Sequence, residues 1–341
     1  MENNQVIPGY EVVRKLGSGA MAGVYLARQV SLDRLVAIKI LPSKFSANTD
    51  YINRFQKEGK AAAKLNHPNI VAAVDVGAVG SRHYFVMEYV DGTDVHELLK
   101  KKGKLPERRA LEIIQEIALA LQHAHGKGFL HRDIKPRNIM ITKAGVAKLA
   151  DLGLARHVDD TETAEAEKNK AFGTPFYISP EQIRGKMDIA APADIYGLGA
   201  TFYHMVTGKV PFTGANPKEV MRAHLKAELV APDHLNSELS SGCAQIIEHM
   251  LARRIEDRYH SADDLLVDLE LVMQGLPPKF AQSVIDASVL AETAAAAAAA
   301  TAIPTQVAKP AVASAPPTWM IAALVGSLFV NLLLLILYLL K

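Results

Sequence analysis

Eight residues, His131-Arg-Asp-Ile-Lys-Pro-Arg-Asn138, constrain this chain more than any other stretch. They are mostly polar, they contain a proline that interrupts a helix, and they run straight into an apolar strand expected over Ile139–Ile141. Lys148-Leu-Ala-Asp-Leu-Gly153 follows, with Asp151 just ahead of a turn after a second short strand. Asp133, Asp151 and the amide of Asn138 would repel if they converged on one pocket without cations. Magnesium and bound phosphates supply that charge, and an Asp near a Gly after a strand suits a magnesium ligand.

Two further motifs lie upstream. Gly17-Ser-Gly-Ala-Met-Ala-Gly-Val24 is flanked by apolar stretches, Tyr10–Leu16 and Val24–Ala27, that read as two strands joined by a glycine-rich hairpin. Such a loop is a plain turn or a phosphate-binding cover. A dinucleotide fingerprint requires a helix after the loop, and here a second strand follows. Val36-Ala-Ile-Lys39 puts a lysine in an apolar strand, where it is costly unless an anion pairs with it. Glu58, in the helical stretch expected over Ile52–Leu65, is the candidate partner. The plain alternative for Lys39 is a surface lysine on an edge strand.

In this order and together, the motifs make the stretch from about Tyr10 to Met273 similar to a eukaryotic-type (Hanks-type) protein kinase domain, in particular to the bacterial membrane-anchored Ser/Thr kinases. The resemblance implies an α+β bilobal fold, with a small β-rich N-lobe over about 10–88 and a larger helical C-lobe over about 91–273. It implies ATP and Mg2+ as cofactors and protein Ser/Thr hydroxyls as acceptors. Asp133 would take the acceptor proton, Lys135 would contact the transferred phosphate, and Asn138 and Asp151 would hold metal. Lys39, held by Glu58, would position the α/β-phosphates, and Thr174 would lock Asp133 and Lys135. The nucleotide would lie against Leu16, Gly17, Ser18, Gly19, Ala20, Gly23, Val24, Ala37 and Lys39. Met87 resembles the gatekeeper, and the backbones of Glu88 and Val90 would bind adenine. Asp194 resembles the helix aspartate that braces the catalytic loop, and Glu181 and Arg258 resemble a buried ion pair. Lys135 and Thr174 match the Ser/Thr-specific pattern rather than the Tyr-specific one.

The chain departs from the family pattern in three places. Ala22 stands for the third loop glycine, with Gly23 displaced by one, and the extra methyl group is expected to crowd the loop and weaken nucleotide affinity. Leu152 replaces a Phe and Ser179 an Ala. Ala22 is the sole sequence support for the competing class, a membrane-tethered pseudokinase or scaffold that binds nucleotide with little turnover. The segment Asp159-Asp-Thr-Glu-Thr-Ala-Glu-Ala-Glu167 is either a solvated acidic loop or carries autophosphorylation sites at Thr161 or Thr163, whose phosphate would pair with Arg132. The scattered histidines read as structural or exposed.

Beyond the kinase-like stretch the composition changes. Residues 274–318 include a polyalanine run and a Pro/Ala/Thr-rich segment and read as a linker. Trp319–Leu340 contains no charged residue. At 1.5 Å per residue, about 22 residues of helix span roughly 33 Å, enough to cross a hydrocarbon core. A buried core helix is the alternative, and it fits poorly with a segment apolar on every face beyond a linker. MENNQVIPG at the start has no apolar core and does not read as a signal peptide. The expectation is a single-pass C-terminal anchor in the inner or cytoplasmic membrane, with the kinase domain cytosolic and no outward sensor. Ala322 and Gly326, and Ala323, Ser327 and Asn331, recur every four residues, a pattern that serves either self-association or a lone anchor.

Charge and cysteine count narrow the classes. With 38 Lys plus Arg against 36 Asp plus Glu, the net charge of +2 argues against a protein built to track nucleic-acid phosphates, which needs a concentrated basic surface. A single cysteine, Cys243, allows neither an internal disulfide nor a four-Cys zinc site.

Overall fold

Alternation governs the N-terminal lobe. In the computed structural model, β1 (Tyr10–Ser18), β2 (Gly23–Gln29), β3 (Arg34–Ile40), β4 (Ala73–Val79) and β5 (Arg82–Glu88) form an antiparallel sheet in the order β1-β2-β3-β5-β4. The structure describes residues 7–18, 22–41, 62–151, 156–157 and 175–281, with Ile52, Asn53, Phe55 and Gly59 between them. Along β3, Val36, Ile38 and Ile40 join Ala27, Val86 and Ile7 in a small core on one face. Ala37 and Lys39 therefore point to the other face, because side chains alternate along a strand. Cross-strand partners share a face, so the register sets Val24, Lys39 and Phe85 in one row and Leu26, Ala37 and Met87 in the next.

The expected first two strands both form and run longer than Tyr10–Leu16 and Val24–Ala27. Of the helix expected over Ile52–Leu65, the described residues Ile52, Asn53, Phe55, Gly59 and Ala62 are helical, and a turn at Ala63–Lys64 ends it. Phe55, Ala62 and Leu65 enter the main core.

The second lobe is built on helices. α1 (Val95–Lys102) starts at Asp94, whose Oδ1 accepts from the Glu97 amide at 2.8 Å, a side-chain cap on the first turn. α2 (Glu107–Gly126) buries Ala110, Ile113, Ile114, Ile117, Ala120, Leu121 and Ala124, one stripe at helical spacing. Against it pack α4 (Ala191–Thr207) and α8 (Ala262–Met273), and α7 (Ser241–Met250) packs on α4. Nearly every side chain of α4 is buried. Gly199 permits the α4–α7 approach: a Cβ there would lie 2.6 Å from the Met250 Cβ. The short α3 (Pro180–Ile183) is fixed by a capping box between Ser179 and Gln182. α5 (Pro217–Lys226) and α6 (Pro232–Leu235) complete the lobe.

A small sheet, β6 (Gly92–Asp94), β8 (Ile139–Thr142) and β9 (Ala147–Leu149), lies beside the cleft, and β7 (Phe129–Leu130) pairs with β10 (Arg156–His157). The lobes are stitched where residues 69–71 run beside β9. Leu149 N donates to Asn69 O at 2.8 Å, Val71 N to Leu149 O at 2.9 Å, and Asn69 Nδ2 to Ala147 O at 2.8 Å.

The expected linker begins at residue 274, yet its first residues pack on the lobe. The buried Asp268 carboxylate accepts from the backbone amides of Lys279 (2.6 Å), Phe280 (3.0 Å) and Ala281 (2.9 Å), and from Tyr259 Oη (2.8 Å). Among the described residues no helix is long and apolar enough to cross a membrane. The polyalanine run, the rest of the linker and Trp319–Leu340 lie outside them.

Candidate active site

The loop between β7 and β8 is held from below by one buried carboxylate. Asp194, in the first turn of α4, accepts from the His131 amide at 2.9 Å and the Arg132 amide at 2.6 Å. Its Oδ2 also meets His125 Nε2 at 2.9 Å. Burial pushes the Asp194 carboxyl up, but the hydrogen bond and charge of His125, the charge of His131 and the Arg132 amide outweigh it and hold it below its usual value. Arg132 has a φ of 68°, the left-handed region that a non-glycine residue seldom adopts. The Asp194 contact and a 2.8 Å bond from Gln182 Nε2 to the Arg132 carbonyl fix it there. His131 is part of the same scaffold. Its Nε2 lies 3.1 Å from the Ala150 carbonyl, so this nitrogen carries the proton, and its Nδ1 accepts from the Asp133 amide at 3.3 Å.

On this support the loop presents its polar groups to the cleft. Lys135 Nζ lies 2.5 Å from Asp133 Oδ2. Asn138 Nδ2 donates to the Asp133 carbonyl at 2.8 Å and approaches Asp133 Oδ2 at 3.3 Å. Asp133 Oδ1 takes no hydrogen bond among the described residues, which leaves one carboxylate oxygen to accept a proton.

Across the cleft, Lys39 Nζ forms an ion pair with Asp151 Oδ1 at 2.5 Å, which ties β3 to the end of β9. Asp151 itself has a φ of 62°. The Ala150 amide donates to the Asn138 carbonyl at 2.8 Å, keeping Asp151 beside the catalytic loop.

The residues fit a magnesium–triphosphate group. With Nδ2 engaged by Asp133, Asn138 keeps Oδ1 as an acceptor, and Asp151 adds a carboxylate. These are hard oxygen donors, and Mg2+ takes few protein ligands because it retains water and phosphate oxygens. Consistent with that, no cluster of three or more His, Cys, Asp or Glu side chains gathers for a metal among the described residues.

The hinge lies where β5 ends. Met87 shares its row with Leu26 and Ala37 under the sheet. The Glu88 amide is engaged by the Ala72 carbonyl at 2.8 Å, so the adenine contact expected there would fall to the Glu88 carbonyl. The Glu88 side chain meets Lys148 Nζ at 2.9 Å and links the hinge to β9. Leu16, Gly17, Gly23 and Val24 lie where β1 and β2 pair, with Ser18 opposite Gly23. Ala22 is 4% exposed and packs in the main core, so the methyl group expected to crowd the loop is a core contact. Gly19, Ala20, Glu58, Leu152, Thr161, Thr163 and Thr174 lie outside the described residues, as does the side chain of Ser18.

Glu181 and Arg258 meet in a buried, two-pronged pair, with Arg258 Nη1 at 2.7 Å and Nη2 at 2.9 Å from the two carboxylate oxygens. Sequence reasoning grouped His125 with the scattered histidines and assigned no role to Gln182. Both support the catalytic loop, and neither carries a local signal, because their partners lie far along the chain.

The sequence profile of the protein kinase domain matches residues 10–268. The chain is 37% identical over 282 residues to serine/threonine-protein kinase PknB of Mycobacterium tuberculosis, covering 82% of this chain and 45% of that protein. It is 37% identical over 261 residues to serine/threonine-protein kinase PrkC of Bacillus subtilis, covering 76% of this chain and 40% of that one. A protein named as a probable serine/threonine-protein kinase in Clostridium perfringens is 38% identical over 263 residues, covering 77% of this chain and 38% of that protein. The chain thus spans less than half the length of the curated relatives it matches. With that profile matched across both lobes, the chain belongs to the protein kinase domain family.

Proposed function

We propose that this protein is an ATP-dependent protein serine/threonine kinase that transfers the γ-phosphoryl group to Ser or Thr hydroxyls of protein substrates. One observation carries the proposal: Asp133 has one oxygen engaged by Lys135 and the other open to a proton, inside a loop that also orients Asn138. Asp133 orients the acceptor hydroxyl and takes its proton as the new oxygen–phosphorus bond forms and the bond from the γ-phosphorus to the bridging oxygen breaks, with ADP as the leaving group. Lys135, beside it, offsets charge on the transferring phosphoryl group, and Lys39 holds the α/β-phosphates. Asn138 and Asp151 are the residues that would hold Mg2+, which supplies charge neutralisation and alignment of the phosphates. Positioning and electrostatics do most of the work, since the transition state is loose.

Lys135 and the names of the three relatives support a Ser/Thr acceptor. The apolar segment Trp319–Leu340 supports attachment to the cytoplasmic membrane, with the catalytic lobes in the cytosol. The small-residue spacing at Ala322, Gly326, Ala323, Ser327 and Asn331 supports pairing of two such segments. Thr161 and Thr163 are the proposed autophosphorylation sites.

The test compares wild type with Asp133→Asn in a radiolabelled ATP assay, followed by phosphoamino-acid analysis. Asp133→Asn is expected to fold and to lose nearly all transfer, with phosphoserine and phosphothreonine formed by the wild type. Equal transfer by both proteins, or mainly phosphotyrosine, would refute the assignment.

A further inference from the structure

Arg137 sits between Pro136 and Asn138, in the turn that follows Lys135, so its backbone belongs to the same loop as Asp133 and Asn138. The residue is exposed. Its Nη2 donates to His96 Nε2 at 2.7 Å. A ring nitrogen that accepts a hydrogen bond carries no proton there, so this nitrogen brings no positive charge and no anion either. Among the described residues no carboxylate pairs with Arg137.

Among the described residues, the groups around it leave that charge unanswered. On the side of the segment after residue 174, Tyr177 Oη donates to His204 Nδ1 at 2.8 Å. Burial, aided by the nearby His96, pushes His204 down to about 4, so the ring is neutral near pH 7. Burial also raises the Tyr177 phenol, which stays protonated. Along α1, Lys100 follows His96 by one helical turn and is exposed, a cation four residues on from the imidazole that Arg137 meets. A guanidinium with no carboxylate partner among the described residues, four positions after the proton-accepting Asp133 on the same loop, is a receptor for an anion brought by the acceptor chain.

The chain itself carries a segment of the matching charge. Asp159-Asp-Thr-Glu-Thr-Ala-Glu-Ala-Glu167 holds two threonines among acidic residues and no basic one. We infer that Arg137, with His96 and Lys100, forms a subsite that reads an anionic side chain near the acceptor hydroxyl, so that the enzyme favours Ser or Thr in acidic sequences, residues 159–167 of a second copy among them. The inference rests on the kinase reading above and adds the substrate class to it. The planar fork of Arg137 fits a carboxylate and a phosphate alike, so the anion is an Asp or Glu, or a residue phosphorylated earlier.

The test uses the 341-residue chain and three peptides spanning residues 157–169. One has the native sequence, one has every Asp and Glu replaced by Asn and Gln, and one carries phosphothreonine at 161. The readout is the ratio of kcat/KM values for each anionic peptide over the amide peptide. Wild type is expected to favour the native peptide on the order of tenfold, the size of one charge-assisted hydrogen bond at a partly exposed site. Arg137→Glu is expected to bring the ratio to one or below, and Arg137→Lys to restore part of it. A further gain with the phosphothreonine peptide assigns the anion to prior phosphorylation, and equal or lower turnover assigns it to carboxylates. A wild-type ratio near one, or a ratio unchanged in Arg137→Glu, overturns the subsite and leaves the kinase reading standing. No transfer to any peptide or to the protein itself overturns both.

Discussion

The guanidinium of Arg258 lies in the fork of the Glu181 carboxylate, 2.7 and 2.9 Å from its two oxygens, with the Arg 1% and the Glu 2% exposed. The remaining donors of Arg258 reach the carbonyls of Ala252 (2.5 Å), Pro192 (3.1 Å) and Arg253 (3.1 Å), so every N–H is used. The cation also stacks 4.8 Å above the Tyr196 ring. The pair therefore ties α3 to the stretch between α7 and α8.

Removing one partner strands the other charge in a dry site. Glu181→Gln or Arg258→Met is expected to cost about 3–5 kcal/mol of unfolding free energy. The double replacement is expected to cost less than the sum, because it leaves no unpaired charge. Urea unfolding of the three variants measures this. Costs that simply add would show that the two side chains are energetically independent.

Asp194 anchors the catalytic loop through two backbone amides and His125. Asparagine can offer its single oxygen to only one of those amides and turns an NH2 group toward the other. Asp194→Asn is expected to lose about 1–3 kcal/mol of stability at pH 7, and to lower kcat as Arg132 leaves its left-handed conformation. The folded carboxyl is held below its ordinary 3.8, so its stabilisation is present above that value and disappears as pH falls through the folded one. The wild-type and variant unfolding curves should thus differ at pH 7 and converge in strong acid. A constant gap across the whole range would rule this assignment out.

His224, on α5, is fully buried and accepts from Tyr196 Oη at 2.7 Å, with the Phe212 ring 4.7 Å away. Burial pushes it from 6.5 down to about 4, against the opposing pull of the Pro175 and Phe176 carbonyls. Between these two values the unfolded chain binds a proton that the folded chain refuses. Stability is then expected to be flat above pH 6.5 and to fall as pH drops toward 4, by at most roughly 3 kcal/mol from this group. In His224→Gln that part of the decline should vanish. Denaturant titrations at pH 7.5, 6, 5 and 4.5 report it, and identical slopes in both proteins would count against a neutral buried ring.

Much of the site was legible because its parts are local. The run 131–138 is one continuous loop, and the alternation of Val36-Ala-Ile-Lys39 puts Ala37 and Lys39 on the face away from Val36 and Ile38 whatever the partners are. Asp194 and the Glu181–Arg258 pair were identified through the resemblance, and the contacts now give them physical roles. Ala22 went the other way. A methyl group in a glycine-rich loop reads as an obstruction, yet in the fold it is buried among core side chains. The linker boundary moved for a related reason, since Asp268 reads as one more helix acid until three amides of residues 279–281 arrive at it.

The sequence alone determined which side chains stand on a common strand face or a common loop, because chain geometry fixes those neighbours over a few residues. It determined the order of the motifs, and hence the family. The tertiary structure decided which distant charges meet. Lys39 reaches Asp151, His125 reaches Asp194, Lys148 reaches Glu88, and among the described residues Arg137 meets an imidazole and no carboxylate. Those pairings depend on how helices and sheets pack over the whole core, and no local pattern encodes a distance between residues far apart in the chain.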